Sequence, residues 1–117
     1  MAFKFENLNV WKQAVELSGE INDLTEQFPR KELLVLTSQI QRAADSIALN
    51  IAEGSTGQSN AEFKRFLGFA LRSAIEVVSC LYLARRRKLI NQEEFQHFYE
   101  SLTVLVKGNQ ALRNSIK

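Results

Sequence analysis

The chain has 117 residues, of which 45% are hydrophobic and 24% are charged, and its formal net charge is +2. These values are typical of a soluble globular protein and predict one domain over residues 1–117. The sequence has one cysteine, no secretory signal at its start and no apolar run near the roughly 20 residues that cross a bilayer. These features exclude an intrachain disulfide and favour a cytoplasmic protein that does not enter a membrane.

The first predicted helix ends at the only proline of the chain. Its apolar residues follow alternating steps of four and three, which is the spacing of a seam between packed helices. They are Val10, Ala14, Leu17, Ile21, Leu24 and Phe28. Because Pro29 disfavours helical geometry at the residue before it, we expect the helix to end at Phe28.

The second predicted helix runs from about Glu32 to Glu53 and carries two stripes. The apolar stripe contains Leu33, Leu36, Ile40, Ala43, Ala44, Ile47 and Ile51. A polar stripe beside it contains Gln39, Arg42, Ser46, Asn50 and Glu53. Since most of its residues are small and uncharged, the polar stripe suits either a hydrogen-bonded contact with a partner or an internal network that orders the next loop. The sequence leaves both interpretations open.

The third predicted helix follows the loop "GSTGQS", in which Gly54 is placed to end the second helix and Ser59 with Glu62 to form a capping box that starts the third. It extends to about Lys88. One face suffices for a core and contains Phe63, Leu67, Ala70, Leu71, Ala74, Val78, Leu81 and Tyr82. A neighbouring stripe is also apolar and contains Phe66, Phe69, Ser73, Val77, Cys80 and Ala84.

The second apolar stripe predicts a homo-oligomer, because a line of exposed apolar side chains usually marks an interface. The predicted interface residues are Phe66, Phe69, Val77 and Cys80. The alternative is that the first and fourth helices wrap far enough to bury both stripes.

The fourth predicted helix begins after Asn91, which with Glu94 forms a capping pattern. Its seam contains Phe95, Phe98, Leu102, Leu105, Leu112 and Ile116, and Asn109 is the polar interruption. No segment alternates with a two-residue period, and the connections are short. The sequence therefore predicts an all-α, antiparallel up-down-up-down four-helix bundle.

Basic residues are concentrated on the third helix. Between Ser59 and Ile90 seven cations face two acids. The residues predicted to contact nucleic-acid phosphates are Arg65, Arg72, Arg86 and Arg87. The alternatives are a solvated helix face and, for "RRRK", a favourable position at the negative end of the helix dipole.

The residues needed for catalysis are missing from the sequence pattern. His97 is the only histidine, and its E-x-x-H spacing with Glu94 occurs once, whereas di-iron bundles need two such pairs. Cys80 has no base placed near it by the sequence, and "EGSTGQS" lacks the lysine of a phosphate-binding loop. We therefore expect no enzymatic activity, metal, cofactor or small-molecule substrate.

Three segments carry a resemblance to a known family. They are "FENLNVWKQA", "FPRKELLVLTSQIQRAADSIALNIAEG" from Phe28 to Gly54, and "SNAEFKRFLGFA" from Ser59 to Ala70. The chain resembles the four-helix-bundle proteins encoded in intervening sequences of bacterial 23S rRNA genes, a family that includes accessory proteins of diversity-generating retroelements. One departure is Gln41, where the family often has an arginine beside the one retained here as Arg42.

The resemblance implies a four-helix bundle, a ring that is commonly a pentamer, and a link to RNA or other nucleic acid without catalysis. Combined with the basic third helix, it favours an oligomeric protein that binds RNA or DNA with salt sensitivity and little sequence preference. The alternative is a scaffold that docks another protein and does not itself bind nucleic acid.

Overall fold

In the computed structural model, which describes residues 2–57 and 59–117, the chain forms four α-helices. They are α1 (Asn9–Thr25), α2 (Ser38–Ser55), α3 (Asn60–Arg86) and α4 (Gln92–Ser115). The described residues contain no β-strand. The molecule is elongated, with extents of 43 × 23 × 22 Å. The all-α four-helix prediction is therefore confirmed.

Contacts between neighbouring helices show that each runs antiparallel to the next. Early α2 residues lie against late α1 residues, since the Gln41 amide donates to Thr25 Oγ1 at 2.8 Å, whereas Ser18 of earlier α1 donates to Asp45. The contact between Glu20 and His97 joins α1 to the first turns of α4. Along α2 and α3, Gln39 contacts Glu76 and Ser46 contacts Ser73, and along α3 and α4, Lys64 contacts Arg113 and Leu67 contacts Asn109. Together these pairings give the up-down-up-down order.

Two helix starts follow their sequence signals. Ser59 Oγ accepts a hydrogen bond from the Glu62 amide at 3.1 Å and caps α3, but the Glu62 carboxylate pairs with Arg65, so only half of the predicted capping box forms. At the start of α4, Asn91 Oδ1 accepts from the Glu94 amide while the Glu94 carboxylate accepts from the Asn91 amide, which completes a capping box. These side chains satisfy backbone donors that the first helical turn leaves unpaired.

The turn from α3 to α4 is closed by a residue in the left-handed region. Lys88 has φ 61°, and its amide donates to the Arg85 carbonyl while the Leu89 amide donates to the Ala84 carbonyl. This pair of hydrogen bonds is the Schellman motif, which usually has glycine at the Lys88 position. Lysine there carries a Cβ that the left-handed conformation disfavours.

The predicted start of α2 is wrong in its geometry. A 3-10 turn, Arg30–Glu32, leads into a π-helical segment, Leu33–Thr37, before regular α-helix begins at Ser38. A π-helical turn contains one residue more than an α-helical turn. Residues at the start of the segment are therefore rotated away from the face that α-helical spacing would give them. As a result Leu33 is exposed, although the α-helical spacing placed it on the apolar stripe.

Gly54 does not end α2, which continues to Ser55 with no glycine at positive φ in the described chain. The glycine is buried at a close approach of two helices. A Cβ built on Gly54 would lie 2.5 Å from Phe66 Cβ of α3. The absence of a side chain therefore serves the packing of α2 on α3 rather than a turn.

Two of the predicted interface residues belong to the core. Val77 is 0% exposed and Cys80 is 3% exposed, so neither contributes to an outward surface, and the expectation for both is corrected. The α3 seam keeps its alternating steps of four and three throughout instead of shifting to Val78 and Tyr82. Its buried residues are Phe63, Leu67, Ala70, Ala74, Val77, Leu81 and Ala84.

Candidate nucleic-acid interface

Four cationic side chains line an open groove between α3 and α4, which we call the cationic groove. They are Lys64, Arg65, Arg72 and Arg113. The groove has a volume of about 700 Å³, and Gly68 and Phe69 lie between the cations. Arg65 and Arg72 share one side of α3 because seven residues make almost two complete helical turns. Two of the four predicted nucleic-acid contacts therefore lie together.

The fourth cation reaches the groove from α4. Arg113 is half-buried, and its Nε donates to the Lys64 carbonyl at 3.1 Å. The guanidinium lies beside Gly68, where a built Cβ would be 3.8 Å from Arg113 Nη2, an ordinary van der Waals contact. The sequence reasoning missed Arg113 because its place in the groove depends on how α4 is aligned against α3.

The groove retains most of its positive charge. Arg65 Nη1 lies 2.7 Å from Glu62 Oε1, and among the described residues this is the only ion pair that one of the four cations makes. The Arg65 guanidinium also lies over the Phe69 ring, 5.2 Å from its centre. Both contacts hold Arg65 at the groove wall while 61% of its side chain remains exposed. The groove thus presents charges that suit phosphate oxygens.

The other two predicted nucleic-acid contacts lie at the far end of α3. Arg86 is 14 residues from Arg72, which is about 21 Å along the helix axis. Arg87 Nη1 contacts Glu32 Oε1 at 3.0 Å, and that glutamate side chain is 11% exposed. Arg87 therefore neutralises an acid of this chain, whereas the side chain of Arg86 is exposed.

A second depression, which we call the polar cleft, lies between α2 and α3. It has a volume of about 270 Å³ and is lined by Gln39, Arg42, Ala43, Ser46, Ser73 and Glu76. Ser46 and Ser73 share a hydrogen bond of 2.8 Å between their hydroxyls, and Gln39 Nε2 donates to Glu76 Oε2 at 2.5 Å. The structure therefore brings Gln39, Arg42 and Ser46 of the predicted polar stripe to one cleft.

The remaining residues of the polar stripe differ in their surroundings. Asn50 Nδ2 donates to the carbonyl and to the hydroxyl of Ser46, at 2.8 and 2.9 Å, while Glu53 is exposed. The side-chain amide of the half-buried Asn50 therefore makes its hydrogen bonds within α2. This arrangement joins part of the stripe into an internal network and leaves the cleft open.

The outward side of α3 carries uncovered apolar side chains. Phe66 and Phe69, which the sequence assigned to an interface, are half-buried, and Ile75 is 63% exposed. By length and composition α3 is able to cross a membrane, and 33% of its most apolar stretch is buried. The core helix of a soluble bundle meets the same criterion of length and composition. The exposed large apolar side chains of α3 are Ile75, Tyr82 and Leu83, whereas Phe66 packs beside Gly54 of α2 and Phe69 lines the cationic groove.

The only histidine lies with four carboxylates at one cavity between α1 and α4, which is lined by Glu20, Asp23, Glu93, Glu94 and His97. His97 Nε2 lies 2.6 Å from Glu20 Oε2, whereas the Glu94 carboxylate caps its own helix. Residues 2–57 and 59–117 contain no group of three or more His, Cys, Asp or Glu side chains that could hold a metal ion. Burial, with a smaller contribution from Glu76, raises the pKa of the Cys80 thiol. This thiol therefore stays protonated at neutral pH.

Comparisons with known proteins agree with this architecture. One solved structure, described as a protein of unknown function from the S23 ribosomal protein family of Bacteroides thetaiotaomicron, superposes with a TM-score of 0.84. It is 27% identical in sequence, and the match covers 90% of this chain and 95% of that chain. A search of curated proteins finds no match. The family model described as 23S rRNA-intervening sequence protein matches residues 6–110, and the chain belongs to that family.

Proposed function

We propose that the chain is a non-enzymatic, homo-oligomeric protein of the cytoplasm that binds nucleic acid through the cationic groove. The observation that carries the proposal is the convergence of four cations on one groove with a single carboxylate paired to them. Each cation can neutralise one phosphate, and the released counterions supply most of the binding free energy. The family description, which refers to 23S rRNA-intervening sequences, supports RNA as the ligand.

Assembly into a ring, which we take to be a pentamer, would strengthen this binding. The exposed Ile75 provides apolar surface that a second copy can cover, whereas Phe69 lines the cationic groove and Phe66, nine residues before Ile75, lies on the opposite side of α3. One groove of four cations gives modest affinity, but several grooves on one particle engage the same strand with a higher effective concentration. The oligomer is therefore part of the proposed binding mechanism.

The test is the salt dependence of binding to a fluorescent single-stranded RNA. For a strand short enough to occupy one groove, with about four phosphate contacts, log affinity falls against log salt with a slope of roughly −3, so affinity drops roughly 50-fold between 50 and 200 mM salt. A strand that reaches several grooves gives a steeper slope. Arg72→Glu should weaken binding and reduce that slope. Arg86→Glu is the matched control, since it makes the same charge change on the same helix outside the groove. An affinity that does not change with salt would contradict the proposal.

A second candidate function is docking of a basic protein, and an acidic surface favours it. Between α1 and α4 a cavity of about 380 Å³ is lined by Glu20, Asp23, Glu93 and Glu94. Such a surface repels nucleic acid and attracts cationic segments. If Glu93→Lys with Asp23→Lys abolished cellular function while Arg72→Glu preserved it, the scaffold would be the better description.

A further inference from the structure

We propose that the polar cleft between α2 and α3 binds the base of an unpaired guanine nucleotide. The inference rests on the proposed nucleic-acid binding and adds base recognition to it. Phosphate contacts position a strand without reading its sequence, whereas hydrogen bonds to base edges give specificity. The cationic groove supplies phosphate contacts, and the polar cleft has donors and acceptors that can form hydrogen bonds to a base edge.

Opposite charges face the polar cleft without neutralising each other. Arg42 and Glu76 both line it, yet among the ion pairs of the described residues none joins them. Gln39 holds Glu76 Oε2, and the hydrogen bonds of residues 2–57 and 59–117 leave Glu76 Oε1 and the Arg42 guanidinium without a partner. A ligand that carries both donors and acceptors can therefore satisfy both ends of the cleft.

Guanine matches this arrangement better than the other bases. Its N1–H and N2–H are neighbouring donors that a carboxylate can accept together, and its O6 and N7 are acceptors that an arginine can contact bidentately. Adenine has an acceptor at N1, which would oppose the Glu76 carboxylate. Uracil offers a single ring N–H, and cytosine offers none. The pairing of a carboxylate with a guanidinium across the cleft thus favours guanine.

The polar cleft is within reach of a strand held in the cationic groove. Arg72 lines the groove, whereas Ser73 and Glu76, the next residue and the next turn of α3, line the cleft. One helical turn is about 5.4 Å, so a nucleotide whose phosphate contacts Arg72 can extend its base across α3. The base must be unpaired, because a duplex occupies its Watson–Crick edge.

The size of the cleft also fits a flat ring. Ala43, Ser46 and Ser73 lie along its walls, and their small side chains leave the volume of about 270 Å³ open. The hydroxyls of Ser46 and Ser73, which already bond to each other, can each accept or donate one more hydrogen bond. Replacing either serine by a large residue would close the cleft from one side.

The test compares 12-nucleotide uridine strands that contain one guanosine, one inosine or one adenosine, by fluorescence anisotropy. Each good bidentate contact discriminates about 5- to 150-fold, and we expect guanosine to bind about 10-fold more tightly than adenosine. Inosine, which lacks the N2 amino group, should lie between them. Glu76→Gln should bring guanosine and inosine to the same affinity and reduce, without abolishing, their preference over adenosine, because Arg42 still contacts O6 and N7. It should not weaken binding to plain oligouridine, since it removes a negative charge. Arg72→Gln should weaken all three strands and preserve their ratio.

The outcomes separate this inference from the proposed function. Equal affinities for guanosine and adenosine strands would overturn the guanine assignment and leave nucleic-acid binding standing, as would a Glu76→Gln variant that keeps the full difference between guanosine and inosine. Failure of every strand to bind would overturn the proposed function. The cleft is then tested alone, by titrating guanosine and adenosine 5′-monophosphate while following the amide resonances of Ser46 and Ser73. Shifts specific to the guanosine nucleotide support the cleft, and their absence overturns it. Thermal melting of Glu76→Gln checks that the bundle is intact.

Discussion

Lys88 has a backbone conformation that is unfavourable for a residue with a side chain. It adopts φ 61° to close the Schellman motif between α3 and α4, a conformation that glycine reaches without strain. We predict that Lys88→Gly raises the free energy of unfolding by about 1 kcal/mol, measured by urea denaturation. Lys88→Ala removes the same charge but keeps a Cβ, so it should give no such gain. An equal gain in both variants would assign the effect to charge.

Arg86 and Arg87 are adjacent in sequence but differ in their contacts. Arg87 pairs with the nearly buried Glu32, whereas Arg86 is exposed. We predict that Arg87→Ala lowers the stability by about 1 kcal/mol, because it leaves a shielded carboxylate without its partner. The pair is partly exposed on the arginine side, which keeps the effect modest. Arg86→Ala should change stability by less than about 0.5 kcal/mol in the same thermal melts. Similar losses in both variants would contradict the structural role assigned to Arg87.

At the scale of elements, the crossing of α2 and α3 depends on Gly54. An alanine there would bring two Cβ atoms, both fixed to backbone, to 2.5 Å, so the helices would have to separate. We predict that Gly54→Ala destabilises the protein by about 1–2 kcal/mol in spite of the better helix propensity of alanine.

The matched control for Gly54 is Gly19, which lies inside α1 with nothing within 4 Å of a built Cβ. Gly19→Ala should stabilise the protein by up to about 1 kcal/mol through helix propensity alone. Both variants are compared by chemical denaturation. If Gly54→Ala stabilised the protein as Gly19→Ala does, the close approach would not constrain the fold.

The sequence predicted elements well where the signal is local. The caps at Ser59 and Asn91 depend on side chains within three residues, and both formed. The α3 seam required only a fixed period, and keeping the four-three steps through Val77 and Ala84 would have identified it. By contrast, the π-segment Leu33–Thr37 has no sequence pattern that separates it from an α-helix, because its geometry follows from tertiary packing.

The candidate site was less accessible to prediction than the fold. Arg65 and Arg72 were found because their seven-residue spacing places them on one side of α3. Arg113 and Glu76 were missed as site residues, since each matters through a neighbouring helix: Arg113 approaches Lys64 of α3, and Glu76 contacts Gln39 of α2. A helical pattern gives the faces of each helix but not their relative alignment.

At the scale of the whole molecule, the outward side of α3 is where we expect a second copy to bind. Ile75 is 63% exposed near the middle of this helix. We predict that Ile75→Glu yields folded monomers in sedimentation experiments, because a charge is costly in an apolar interface. Leu34→Glu is the control, since Leu34 is 88% exposed but lies in the π-segment at one end of the bundle. Assembly that survives Ile75→Glu and is lost in Leu34→Glu would move the interface to that end.

The pairing of α2 with α3 has a consequence for motion. The two helices are separated by a short loop and joined along their length by the Ser46–Ser73 hydrogen bond, the Gln39–Glu76 hydrogen bond and the close approach at Gly54. Two helices packed together along their length open rarely. We therefore expect the amides of Ile47 and Leu81 to exchange with deuterium more slowly than those of α1 and α4. Since the polar cleft lies within this hairpin, a ligand there would lose little affinity to ordering the protein.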